Sequence, residues 1–192
     1  IFLERNYLKE AVGCQDQTLA VYGGFNLIKF SKKNIIVKKI KISKKALSKL
    51  ENNLFLVYTN SSRYASRIEK KKISQIRKRK KIYFEILKIT NEAIDVFKKN
   101  QNMDLIGNLL DKYWNLKKNL SGNVANKNIN NLYKQGIRSG ALGGKLLGAG
   151  GGGFMLFYCP KKNHKKFMKN MASHYLTSFK FSNQGSKIIH SS

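Results

Sequence analysis

The stretch GALGGKLLGAGGGGFMLFY, residues 140–158, decides how the rest of the chain is read. It ends in FMLFY, residues 154–158, a short apolar run of the kind that forms a buried strand. Ahead of that run stand Lys145, Gly148, Ala149, Gly150, Gly151, Gly152 and Gly153. Dense glycines let backbone N–H groups converge on anionic oxygens. No Gly-Lys-Ser/Thr follows them, so this is not a Walker A loop, and no helix follows as the dinucleotide-binding GxGxxG requires. A flexible linker is the bland alternative. Four consecutive glycines leading into a buried strand argue against it, because the strand's partner fixes them in space. The expectation is a glycine-dense loop over residues 140–153 that faces an anion over residues 145–153.

Working outward, residues 54–59 (LFLVYT) read as a second buried strand. Residues 20–30 read as a strand interrupted by Gly23 and Gly24, a pair that admits close approach of backbone or ligand. Residues 34–42 alternate apolar and basic residues and read as a further strand. Helices are expected at 1–11, 43–50 with Ser43 as N-cap, 63–99, 104–120, 128–138 and 162–175. Two short strands are expected around a turn at 183–185. Trp114 is read as core. Strands and helices mix without regular alternation, so an α+β fold is expected, a mixed sheet backed by helices.

The 192 residues include 38 Lys or Arg against 10 Asp or Glu, a net charge of +28. Such a charge points first to a polyanion. Only six of the cations are Arg, however, and Arg is the preferred residue for bidentate phosphate and guanine contacts. Lys, Asn, Ile, Phe and Tyr are enriched together, as a bias toward AT-rich codons would produce. The run over residues 70–81 is therefore read as a solvated helix face, with no specific nucleic-acid partner. A basic nucleic-acid-binding protein is kept as the alternative of another class. The apolar share of 42% excludes a disordered chain. No apolar run reaches the ~18 residues of a membrane span. The start, IFLERNYLKE, has neither the order of a signal peptide nor an initial Met, so a processed or incomplete chain is expected. Cys14 and Cys159 form no metal or redox motif and are read as free thiols in a reducing cytoplasm. His164, His174 and His190 sit at no metal-ligand spacing and are read as surface or edge residues.

Two further segments carry candidate chemistry. Gly13-Cys14-Gln15-Asp16-Gln17 places an acid in an expected loop, where it could act as general base or equally cap a helix. The stretch TNSSRYAS, residues 59–66, follows a buried strand and precedes an expected helix. Arg63 could hold a phosphate there, or Ser61 and Ser62 could simply cap the helix.

Taken together, VGCQDQTLAVYGGFN (12–26), LFLVYTNSSRYAS (54–66), LDKYWNLKKNLS (110–121), LYKQGIRSGALGGKLLGAGGGGFMLFYCP (132–160) and FKFSNQGSKII (179–189) resemble the GHMP kinase superfamily. The likeness is to its sugar-1-kinase branch, the heptose-phosphate kinases above all, and covers nearly the whole chain. It implies transfer of phosphate from ATP, with Mg²⁺, to the anomeric hydroxyl of D-glycero-D-manno-heptose 7-phosphate in the cytoplasm. L-Fucose and galactose kinases are the alternative within the superfamily. The resemblance makes Asp16 the catalytic carboxylate, with Gln15, Gln17, Gly23, Gly24, Arg63 and Ser66 about the sugar. It places residues 145 and 148–153 at the nucleotide phosphates. It implies that residues 1–42 finish an N-terminal domain and that residues 43–192 form the C-terminal one. On this expectation the chain lacks the Gly-Leu-Gly-Ser-Ser-type ATP loop, is inactive alone and exposes apolar surface in its first part. One departure is Asn60, which stands where the pattern has Gly; Asn tolerates the left-handed conformation.

Overall fold

Strands β3 (Leu54–Tyr58) and β5 (Phe154–Tyr158) form the centre of the molecule, paired antiparallel with Leu56 opposite Leu156. The computed structural model describes residues 1–9, 13–31, 33–61, 74, 76–99, 101–120, 124–148 and 150–190. Within these, the elements run α1 (Gln15–Tyr22), β1 (Asn26–Phe30), β2 (Ile35–Lys39), α2 (Lys44–Asn53), β3, α3 (Lys80–Lys98), α4 (Asp104–Lys118), α5 (Lys127–Arg138), β4 (Gly143–Leu146), β5, α6 (His164–Asn170) and β6 (Leu176–Thr177). A four-stranded sheet has the order β4-β5-β3-β6, and β1 and β2 form a separate two-stranded sheet. The α+β expectation is met; every pairing among the described residues is antiparallel, so the sheet is not mixed in direction.

Side chains alternate across a strand, and this sheet is buried on both faces. Phe55, Val57, Met155, Phe157 and Cys159 pack with Trp114, Ile129, Leu132, Tyr133 and Phe167. Leu54, Leu56, Leu156 and Tyr158 face the other way, toward Leu50, Val96, Phe97, Met103 and Leu109. Helix α4 contributes to both clusters, Trp114 to the first and Ile106 and Leu109 to the second. Trp114 is fully buried, as expected. Ser43 caps α2 by accepting a hydrogen bond from the Ala46 N–H at 3.2 Å.

Several sequence expectations are corrected. Residues 12–17 are not a loop throughout: Gln15 begins α1, which the Thr18 hydroxyl supports by donating to the Cys14 carbonyl at 2.6 Å. The helix displaces the start of the strand expected at residue 20. It stops where Gly23 adopts φ +57, and β1 follows only at Asn26. The first residues form a π-helical turn, Leu3–Tyr7, rather than the end of an amphipathic helix. The glycine-rich segment is strand in part, because Gly143–Leu146 pairs with β5. The reason is steric. A Cβ at Gly143 would press on the Gly107 carbonyl and Asp111 backbone of α4, and one at Gly144 on the Leu156 carbonyl. The last helix is shorter than expected, and residues 178–190 hold no strand. Part of the helix expected over 63–99 lies outside the described residues; α3 begins at Lys80. His164 is half-buried, edge-on to Phe55 at 5.0 Å.

Candidate active site

Asp16 sits in the first turn of α1, exposed to solvent. The site is built where this helix faces the end of β4. A cleft of about 440 Å³ lies between the β1–β2 hairpin and helices α3 and α4. Its walls are apolar, including Phe25, Ile28, Ile89, Phe97 and Leu109, while Gln15, Asn26, Tyr113 and Lys145 bring polar groups to it. The Lys145 ammonium lies 4.8 Å from the centre of the Tyr113 ring, within cation–π range.

Electrostatics tie these groups together. Withdrawal from water pushes the Lys145 pKa down, and the negative charge of Asp16 pushes it back up. An ammonium in such surroundings gains from any further anion, because its lost hydration has not been fully replaced. The charge of Asp16 is thus felt at Lys145, 129 positions away in sequence.

The glycine loop is held at several points. Gly148, Gly150, Gly151 and Gly153 all have positive φ, from +63 to +118, a region that favours glycine. The Gly151 N–H donates to the Val124 carbonyl at 3.0 Å and the Gly153 N–H to the Ser61 carbonyl at 3.0 Å. The Thr59 hydroxyl and N–H both donate to the Gly153 carbonyl at 2.9 Å. Lys117 donates to the carbonyls of Leu146 at 2.9 Å and Gly148 at 2.8 Å. Asn60 adopts φ +49, in the left-handed region that Asn tolerates better than most residues.

Other expected site residues are placed differently. The Gln17 amide donates to Glu4 at 2.8 Å and holds the first turn of the chain against α1. Gly23 and Gly24 give their permissive geometry to backbone. A Cβ on Gly23 would strike Gln184, and the Gly24 N–H donates to the Ser182 carbonyl at 2.8 Å. Gly152 belongs to the loop. Arg63, Ser66 and Ala149 lie outside the described residues. The reading from sequence did not single out Tyr113 or Lys117 for the site; their i, i+4 spacing puts both on one face of α4 and was the available signal.

Comparison with known proteins gives the likeness of the whole chain. Residues 91–177 match the family described as GHMP kinases C terminal. These residues are similar to that domain, and the fold of the chain is that of mevalonate and sugar kinases of known structure. It is similar to the D-glycero-alpha-D-manno-heptose 7-phosphate kinase of Campylobacter jejuni, 33% identical over 190 residues that cover 96% of this chain and 56% of that one. A crystal structure of a proposed sugar kinase from Campylobacter jejuni is 29% identical, with a TM-score of 0.65, over 95% of this chain and 52% of that one. L. major mevalonate kinase, solved with R-mevalonate, superposes with a TM-score of 0.72 at 17% identity over 89% of this chain and 53% of that one, and shows the fold alone. The chain therefore spans about half the length of the relatives it matches. No helix among the described residues is long and apolar enough to cross a membrane.

Proposed function

We propose that this chain is the C-terminal part of an ATP-dependent sugar kinase that phosphorylates the anomeric hydroxyl of D-glycero-D-manno-heptose 7-phosphate. The observation that carries the reading is that Gln15, next to Asp16, and Lys145, which leads into the glycine loop, line one cleft, where the charge of Asp16 acts on Lys145. Asp16 accepts or orients the proton of the sugar hydroxyl as its oxygen bonds the γ-phosphorus and ADP departs. Lys145 and loop N–H groups other than those of Gly151 and Gly153, which Val124 and Ser61 engage, stabilise the phosphoryl oxygens, in keeping with a reaction governed by positioning and charge. The positive φ values of the loop and the desolvated ammonium fit a phosphate chain. Mg²⁺ supplies further neutralisation of phosphate charge when bound. No group of three His, Cys, Asp or Glu among the described residues is placed to hold a metal, and the Asp16 carboxylate is what they offer it near Lys145.

On this reading residues 1–42 finish the N-terminal domain and residues 43–192 form the C-terminal one. Gln15, Gln17, Arg63 and Ser66 approach the sugar. Support comes from the 33% identity to the heptose 7-phosphate kinase over 96% of this chain.

The test is release of ADP by the chain joined to the preceding phosphate-cradling loop that the family resemblance requires. Heptose 7-phosphate, L-fucose and galactose are offered in parallel. Turnover of the heptose phosphate is expected, and Asp16→Asn should lower kcat by roughly 10²–10⁴-fold without moving the unfolding midpoint. Preference for an unphosphorylated sugar transfers the reading to a fucose or galactose kinase. Equal kcat in wild type and Asp16→Asn overturns the role of the carboxylate.

A further inference from the structure

Among the described residues β4 is the outer strand of its sheet, so one row of its backbone groups has no neighbouring strand there. Leu147 donates across the ladder to the Phe154 carbonyl at 2.9 Å. Strand bonds alternate in direction, so the adjacent Leu146 carbonyl turns toward the open edge. Lys117 meets it there at 2.9 Å and reaches past it to the Gly148 carbonyl at 2.8 Å. The residue is only 4% exposed. A buried ammonium is tolerated only where acceptors replace its water. These two acceptors bracket the point at which β4 becomes the glycine loop.

One helical turn earlier, Tyr113 presents its ring to both cations. The Lys145 ammonium is 4.8 Å and the Lys117 ammonium 5.9 Å from its centre. Helix α4 thus grips the strand end twice: through carbonyls that accept from Lys117, and through the residue that faces Asp16.

We propose that Lys117 is a positioning residue, a buried clamp that fixes the turn from β4 into the glycine loop and with it the direction of the loop N–H groups. The clamp stands on geometry alone; its consequence for nucleotide rests on the kinase reading above.

Two measurements on the complete enzyme separate these. In Lys117→Met, amide exchange over residues 147–153 should accelerate roughly 5–30-fold, the size expected for loss of 1–2 kcal/mol, while the amides of β3 and β5 keep their wild-type rates. Affinity for a non-hydrolysable ATP analogue should fall by a similar factor, and Lys117→Arg should recover part of both. Unchanged exchange at 147–153 overturns the clamp, as does an equal acceleration throughout the sheet, which marks a merely structural lysine. Local acceleration with unchanged analogue affinity supports the clamp and removes the phosphate role of the loop instead. Should Lys117→Met not fold, Lys117→Gln keeps N–H donors for the same carbonyls without the charge, and slowing of its loop exchange toward wild type is the supporting result.

Discussion

In the first 42 positions Thr18 is the only described residue that is buried, whereas Trp114, Phe157, Phe167, Ile129 and Val57, all in the later part, are fully enclosed. The early part exposes Phe2, Leu3, Tyr7, Leu8, Val21, Tyr22, Phe30, Ile35 and Ile36. It is joined to the body at few places. Phe25 packs edge-on against Phe97 at 4.8 Å and Phe181 at 5.5 Å, and residues 182–186 bond to Gly24 and Ala20. The contrast bears on the site, because Asp16 rides on the thinly packed part and Lys145 on the densely packed one. Local opening costs least where few apolar contacts must be broken. The position of Asp16 relative to Lys145 therefore depends on the weaker region.

The contrast is broken most directly in the body. Trp114→Ala removes the largest fully buried side chain and should cost about 3–5 kcal/mol of unfolding free energy by denaturant titration. Trp114→Phe should cost clearly less, since it keeps most of the bulk and discards an indole N–H that has no hydrogen-bond partner among the described residues. A loss below about 1 kcal/mol in Trp114→Ala would mean that this core is as loosely filled as the first part.

A smaller effect belongs to Cys159, at the end of β5. Burial pushes its thiol up from 9.0 to about 11. In the unfolded chain the thiol ionises near its ordinary value, while in the folded chain it stays neutral about two pH units further. The unfolded state thus binds fewer protons across this window, and stability falls as pH rises from about 9 to about 11. The stabilisation is fully present below pH 9. The loss amounts to at most about 2–3 kcal/mol, and it should be absent in Cys159→Ala, so the difference between the two pH profiles is the measurement. Parallel profiles would show that water reaches Cys159 and that β5 is not sealed at this end.

What could be read from the sequence divides along the same line. β3 and β5 were legible because their burial on both faces forces continuous apolar runs, LFLVY and FMLFY. α2 was legible through its capping serine. β4 was not, because GGKL has no β-branched or aromatic residue; it is a strand because its missing side chains let α4 lie against it. α1 was hidden for the opposite reason: QDQTLAVY has no apolar face at helical spacing, and its main signal is the glycine that ends it. In the site, Asp16, Lys145 and the glycines stood out as residue types in unusual settings. Lys117 could not, being one of 32 lysines until the fold buries it.

The finest probe of the contrast is Ile36 on β2. The residue is 46% exposed and lies opposite Lys29 across the hairpin. Ile36→Thr keeps the β-branch that suits a strand and removes apolar surface that already faces water. It should shift unfolding free energy by no more than about 0.5 kcal/mol, the range of surface substitutions, and raise solubility. A cost above about 1.5 kcal/mol would show that Ile36 is covered in solution, by another copy of the chain or by a preceding segment. Repeating the titration across a range of protein concentrations decides between these, because only the first makes the cost depend on concentration.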